Sequence, residues 1–207
     1  SSLKPLESGV LHNMPIGPFL KSAPTVICNQ HILILLPVSE MTPKFKNMAW
    51  FALIVFAALL LSQLIGAWVN SNIPLNSTLE INGLIHFTHI RNYGGVFGLA
   101  QGMGSIFGLI NISLLAGVIV YLWFGKAVKP YEFICFGFVV GGGASNVLDR
   151  LIYGSVIDFI DIQHIPFWNY VFNTADMMVH IGIWPLLLLS FMNHPPPTND
   201  IPEKLSD

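Results

Sequence analysis

Four long apolar runs constrain the fold of this chain more than any other feature of its sequence. The first, Ala49 to Val69, is long enough to cross a hydrocarbon core of about 30 Å as a helix. The others run from about Ser105 to Phe124, Phe133 to Leu148 and Met177 to Met192. Only 10% of the residues are charged, against about 25% in an ordinary soluble domain. Backbone in lipid must satisfy its own hydrogen bonds, so runs of this length are expected to be helices. The expected class is a membrane all-α fold with four transmembrane helices.

The flanks differ from the centre. Residues 1–47 contain Pro5, Pro15, Pro18, Pro24, Pro37 and Pro43, which argue against a long helix. Their one apolar stretch, Ile32 to Val38, is too short to span a bilayer or to form an ordinary signal-peptide core. The expected organisation is a poorly structured extension over 1–47, one four-helix domain over 48–193, and a disordered tail over 194–207. Four spans put both termini and the loop between the second and third spans on one side. That side carries Lys4, Lys21, Lys44, Lys46, Lys126, Lys129 and Lys204, and the other only Arg91 and Arg150. The bias assigns the termini to the cytoplasm and both remaining loops to the exterior or periplasm.

A net charge of −2 gives no basic footprint for nucleic acid. Cys28 and Cys135 are too few for a disulfide framework or a thiolate metal site. His86 and His89, three apart on an expected strand, point to opposite faces, and no HExxH pattern occurs. No metal and no cofactor is therefore expected. In the first outer loop, Asn82-Gly83 between Thr78–Ile81 and Leu84–Arg91 predicts a hairpin with a two-residue turn, part of a small sheet on the membrane surface.

The polar chemistry gathers in the second outer loop, where Asp149, Asp158, Asp161 and Asp176 lie close in sequence and mostly abut apolar residues. Ionisable groups at such places are costly and mark a functional or a paired structural site. Gly142, Asn146 and Asp149 share one helical face of the third span, and Asn173, Asp176 and His180 one face of the fourth. Asp149 could pair with Arg150 or Arg91, and Asp161 could be a solvated loop residue. Asp158 and Asp176 have no neighbouring Lys or Arg. Two carboxylates at a desolvated site keep one proton between them, an arrangement suited to activating water. Ion translocation, and a helix-terminal role for Asp176, fit the same residues.

Four stretches, in order, resemble the motif set of the bacterial lipoprotein signal peptidase (signal peptidase II) family. They are Asn92-Tyr93-Gly94-Gly95-Val96-Phe97, Gly141 through Arg150, Val156-Ile157-Asp158-Phe159 and Phe172-Asn173-Thr174-Ala175-Asp176. The resemblance covers roughly Ala49 to Met192 and implies a four-helix aspartyl endopeptidase with a small periplasmic β-cradle. By resemblance Asp158 and Asp176 are the catalytic pair, and Asn92, Gly94, Gly142, Asn146, Asp149, Arg150 and Asn173 support the pair or the substrate. The implied substrate is a diacylglyceryl-modified prolipoprotein, cut just before its lipidated cysteine. The implied setting is the bacterial inner membrane, with lipids around a monomeric chain and the site near the periplasmic face.

Two departures stand out. Where the family typically shows Asp-Gln-x-x-Lys, this chain has Ser62-Gln63-Leu64-Ile65-Gly66, and a glycine before the motif asparagine is replaced by Ser145. A carboxylate at position 62 could pair with an arginine such as Arg150, so its loss leaves a non-catalytic, lipoprotein-binding paralogue as the alternative. A proton-coupled carrier is disfavoured by the short chain and the lack of internal repeats.

Overall fold

The computed structural model describes residues 42–192. Residues 1–41 of the expected 1–47 extension, and the tail expected over 194–207, lie outside the described residues. Four helices are long and apolar enough to cross a membrane: α1 (Pro43–Asn72), α2 (Gly104–Phe124), α3 (Pro130–Tyr153) and α4 (Thr174–Met192). Large side chains such as Trp50, Leu109, Phe124 and Trp184 are exposed on them. In a membrane protein that face meets lipid.

Helices α1 and α3 outrun their apolar stretches because local signals extend them. The sequence boundary at residue 47 is corrected: Thr42 caps α1, its hydroxyl accepting from the Phe45 amide, and Pro43 occupies the first turn. Proline is tolerated there because its missing N–H would be unpaired anyway. At the start of α3 the Glu132 carboxylate accepts the Lys129 amide at 2.7 Å, with Pro130 at the first position. Its end is set by Gly154, at φ 71°, a left-handed value that favours glycine after a helix. Asp149 and Arg150 therefore lie inside α3, in its last turns, rather than in the loop that follows it. The Lys44 ammonium donates to the Trp123 and Gly125 carbonyls, a cation on the C-terminal end of α2.

The segments between α1 and α2 and between α3 and α4 form one four-stranded antiparallel sheet in the order β1-β2-β3-β4: Thr78–Glu80, Ile85–Asn92, Val156–Ile162 and Val171–Phe172. The expected hairpin is present, but its turn is wider than two residues. The Asn82 side-chain oxygen accepts from both the Leu84 and Ile85 amides at 2.9 Å, an Asx turn that needs no positive φ. Neither Asn82 nor Gly83 has one. Asp161 is not a loop residue either. It lies on β3 opposite His86 and accepts from the Thr88 hydroxyl at 2.8 Å.

Strand alternation gives β3 two different faces. Ile157 and Phe159 pack with Val69 and Ile73 at the C-terminal end of α1, beneath the sheet. Val156 and Asp158 face a groove between α2 and α4. A second apolar cluster, Phe51, Leu122, Phe133 and Val140, joins α1, α2 and α3 further along the helices.

The other three helices all pack on α3, and the run Gly141-Gly142-Gly143 lets them do so. Successive residues of a helix point about 100° apart. A Cβ on Gly141 would meet Ala58 and Val55 of α1, one on Gly143 would meet Leu115 of α2, and one on Gly142 would run into the Ala175 carbonyl of α4. Small residues permit this approach in lipid, where packing rather than water drives association. Gly142→Ala should therefore lower stability by about 1–3 kcal/mol, the usual cost of overpacking, seen as a lower unfolding temperature in detergent. Gly117→Ala, with nothing within 4 Å of its Cβ position, should leave that temperature level or raise it.

Candidate active site

Asp158 projects from β3 and Asp176 from the first turn of α4, and asparagines join them. The Asn173 side-chain amide donates to Asp158 at 2.7 Å and to the Asn146 side-chain oxygen at 3.2 Å. Asn146, on α3, donates in turn to Asp176 at 2.8 Å. Asn92, at the end of β2, donates to the other Asp158 oxygen at 3.0 Å and to the Gly95 carbonyl at 3.1 Å. Each carboxylate thus receives neutral N–H donors rather than a salt bridge.

Asn173 also begins α4. Its side-chain oxygen accepts the Asp176 amide at 2.9 Å, while Asp176 accepts the Asn173 amide at 3.3 Å. This reciprocal capping box fixes the carboxylate of Asp176 with the same bonds that start the helix. Asp176 is therefore at once a helix-terminal residue and one that lines the groove.

Arg150 holds the loop after β2. Its guanidinium donates to the Gly94 carbonyl at 2.8 Å and to the Asn146 carbonyl at 3.1 Å. A Cβ on Gly94 would collide with the Leu99 carbonyl, so glycine lets this loop fold tightly beside the groove. Gly142, expected as a supporting site residue, acts through the packing of α3 on α4 and does not line the groove.

Asp149 does not face Asp158 and Asp176 across the groove, and its expected arginine partner is replaced by neutral groups. The Gln63 amide donates to one oxygen at 2.8 Å and the Ile157 backbone amide to the other at 3.1 Å. Arg91 instead bonds Asn70 and lies over the Tyr153 ring, 4.7 Å from its centroid. Asp149 ties the end of α3 to β3 and to α1.

The two departures from the family pattern meet here. Gln63 also donates to the Ser145 hydroxyl at 2.9 Å, so that serine adds a bond between α1 and α3. Ser62 is buried and its hydroxyl has no partner among the described residues. With Gly66, Asp149 and Asn173 it lines a small pocket of about 10 Å³. Arg150 does not line that pocket but faces the groove on the other side. The partner expected for a carboxylate at position 62 is therefore not across from Ser62.

The groove that receives Asp158 and Asp176 has a volume of about 930 Å³ and is lined mostly by apolar residues of α2 and α4, with Trp168 and Tyr170 from the loop before β4. Burial and then the nearby Asp176 carboxylate push the Asp158 carboxyl up to about 7, against the pull of Asn92, Asn173 and Arg150. The sequence did not reveal Trp168 or Tyr170 as parts of this region. Nothing in their local pattern distinguishes them from helix-packing and interfacial residues.

The family described as signal peptidase (SPase) II matches residues 54–192 of the chain. A lipoprotein signal peptidase of Nostoc punctiforme (strain ATCC 29133 / PCC 73102) is 33% identical over 157 residues, 75% of this chain and 97% of the relative. One from Caulobacter vibrioides (strain ATCC 19089 / CIP 103742 / CB 15) is 34% identical over 157 residues, 72% of this chain and 92% of the relative. A solved bacterial membrane enzyme shares the fold with a TM-score of 0.63 at 22% identity, over 77% of this chain and 95% of that one.

The Asp158 environment can be titrated. In detergent-solubilised protein with ¹³C-labelled aspartate carboxyls, the resonance missing from Asp158→Asn should titrate with a midpoint of about 7. The Asn92 amide favours the ionised form, so Asn92→Ala should move that midpoint to higher pH. A midpoint in the ordinary range near pH 4, unmoved by the substitution, would contradict the geometry.

Proposed function

The chain belongs to the signal peptidase II family, and on that premise we propose that it is an aspartyl endopeptidase that removes the signal peptide of diacylglyceryl-modified prolipoproteins, cutting before the lipidated cysteine. It is a multi-pass membrane protein with four spanning helices. The observation that carries the catalytic reading is the junction of Asp158 and Asp176 through Asn173 and Asn146, at an apolar groove between two spanning helices.

The chemistry follows from one proton held between two carboxyls. The protonated partner, Asp158, donates to the scissile carbonyl oxygen and draws charge from its carbon. The ionised partner, Asp176, takes a proton from water as the water oxygen attacks that carbon. A tetrahedral intermediate forms, and its collapse breaks the C–N bond as a proton passes to the leaving amine. Asn92, Asn146 and Asn173 keep both carboxyls in register. They add no fixed cation that would strip the pair of its proton. Arg150 supports the reaction by fixing the Gly94 loop, and the long-range pull of its charge moderates the repulsion between the carboxylates.

The groove suits a lipidated substrate, whose acyl chains and signal segment both belong in hydrocarbon. The lysine bias supports both termini in the cytoplasm and the site at the outer face of the bacterial inner membrane, where exported precursors arrive. Nothing in the reaction requires a second subunit, so the chain would act as a monomer.

Asp158→Asn and Asp176→Asn should each reduce cleavage of a diacylglyceryl-modified precursor by at least about a thousandfold, a barrier increase of about 4 kcal/mol. Both variants should insert and unfold near the wild-type temperature. Near-normal processing by either one would sink the assignment and favour a binding role on the same scaffold.

A further inference from the structure

Beyond the carboxylates, the membrane-spanning walls of the groove carry two polar side chains the mechanism does not use, Asn111 on α2 and His180 on α4. Asn111 lies two turns inside α2, and His180 one turn beyond Asp176. Polar groups in such positions are costly in lipid unless they have work to do.

Both are tied back at one end, and that fixes what the other end offers. The Asn111 side-chain nitrogen donates to the Gly143 carbonyl at 3.0 Å. A carbonyl can only accept, so the amide orientation is set and Oδ1 remains as an acceptor. His180 Nδ1 lies 2.8 Å from the Asp176 carbonyl, so Nδ1 carries the proton and, in the neutral ring, Nε2 is a bare acceptor. The groove walls therefore present two acceptors in apolar surroundings.

Acceptors select donors. On the reading of the chain as a lipoprotein signal peptidase, its substrate has acyl chains with no polar atoms, glycerol esters that only accept, and a peptide backbone with N–H groups. Water attack on a peptide carbonyl requires the chain to leave its helix at the scissile bond, which strips nearby N–H groups of their partners in a water-poor groove. We propose that Asn111 Oδ1 and His180 Nε2 form a binding subsite for backbone amides of the unwound signal segment, and so steer peptide rather than acyl chain along these walls.

The test uses diacylglyceryl-cysteine peptides in which one backbone amide at a time, over the residues preceding the cysteine, is N-methylated. Cleavage by the wild type should lose about tenfold in kcat/KM at one or two positions, as loss of a buried hydrogen bond implies. In Asn111→Leu or His180→Phe the unmethylated peptide should be cut several-fold less efficiently through a higher KM, and methylation at a matching position should add no further loss. His180→Gln, which keeps an acceptor, should restore the methylation penalty. An identical penalty pattern in all variants would overturn the subsite. Should a variant fail to fold, photo-crosslinking to the folded Asp158→Asn protein decides the same point. A diazirine in the peptide should label the segments containing Asn111 and His180, and labelling there by a diazirine in the acyl chain instead would overturn it. A wild type that cuts no lipidated peptide would refute the enzymatic reading itself, whatever the labelling pattern.

Discussion

Three consecutive glycines on α3 let three helices touch one backbone at a single level, and the geometry of the site depends on that close approach. Asn146 follows Gly142 by one helical turn and faces α4, so the distance at which Gly142 meets Ala175 sets how Asn146 reaches Asp176. Asp149, two turns beyond Gly142, reaches the amide of Ile157 on the strand that carries Asp158. Helix packing and carboxylate placement are thus one problem here. A side chain at position 142 would push α4 away and take Asp176 with it.

The second constraint is the use of neutral donors. A guanidinium or ammonium bonded to either carboxylate would favour its ionised form strongly and leave no proton to share. Asparagine avoids this, because it donates without charge and its oxygen can accept elsewhere. Asn173 uses both ends, giving its nitrogen to Asp158 and its oxygen to the Asp176 amide. The proposed chemistry and the start of α4 therefore share one side chain. The polar contact between α1 and α3 is arranged in the same spirit. Gln63, Ser145 and Asp149 join without a fixed cation, in a chain that has Ser62 and Gly66 where its family typically carries charge.

Much of this was legible in the sequence, for identifiable reasons. Apolar length gave the four helices, because a bilayer imposes a minimum length on any span. Helical spacing brought Asn146 to the face that meets Asp176. What the sequence could not show depended on contacts between distant residues. The partners of Asp149 come from α1 and β3, not from the arginines nearest in the chain. The strand Val156–Ile162 was hidden because both of its faces are partly buried, which breaks the simple alternation of apolar and polar residues. The Asn82-Gly83 turn was misjudged because the asparagine side chain, rather than positive φ, closes it. Helix ends moved outward wherever a cap such as Thr42 or Gly154 extended the apolar run.

The central claim is that Asp158 and Asp176 deliver water to the scissile carbonyl without forming a covalent bond to it. A single turnover in H₂¹⁸O, with enzyme in excess over a diacylglyceryl-modified precursor, tests this directly. Direct attack by water predicts one ¹⁸O atom in the new carboxylate of the released signal peptide and none in the enzyme. An unlabelled first-turnover product, with ¹⁸O in the enzyme fragment bearing Asp158 or Asp176, would mean that a carboxylate acts as nucleophile and would contradict the account.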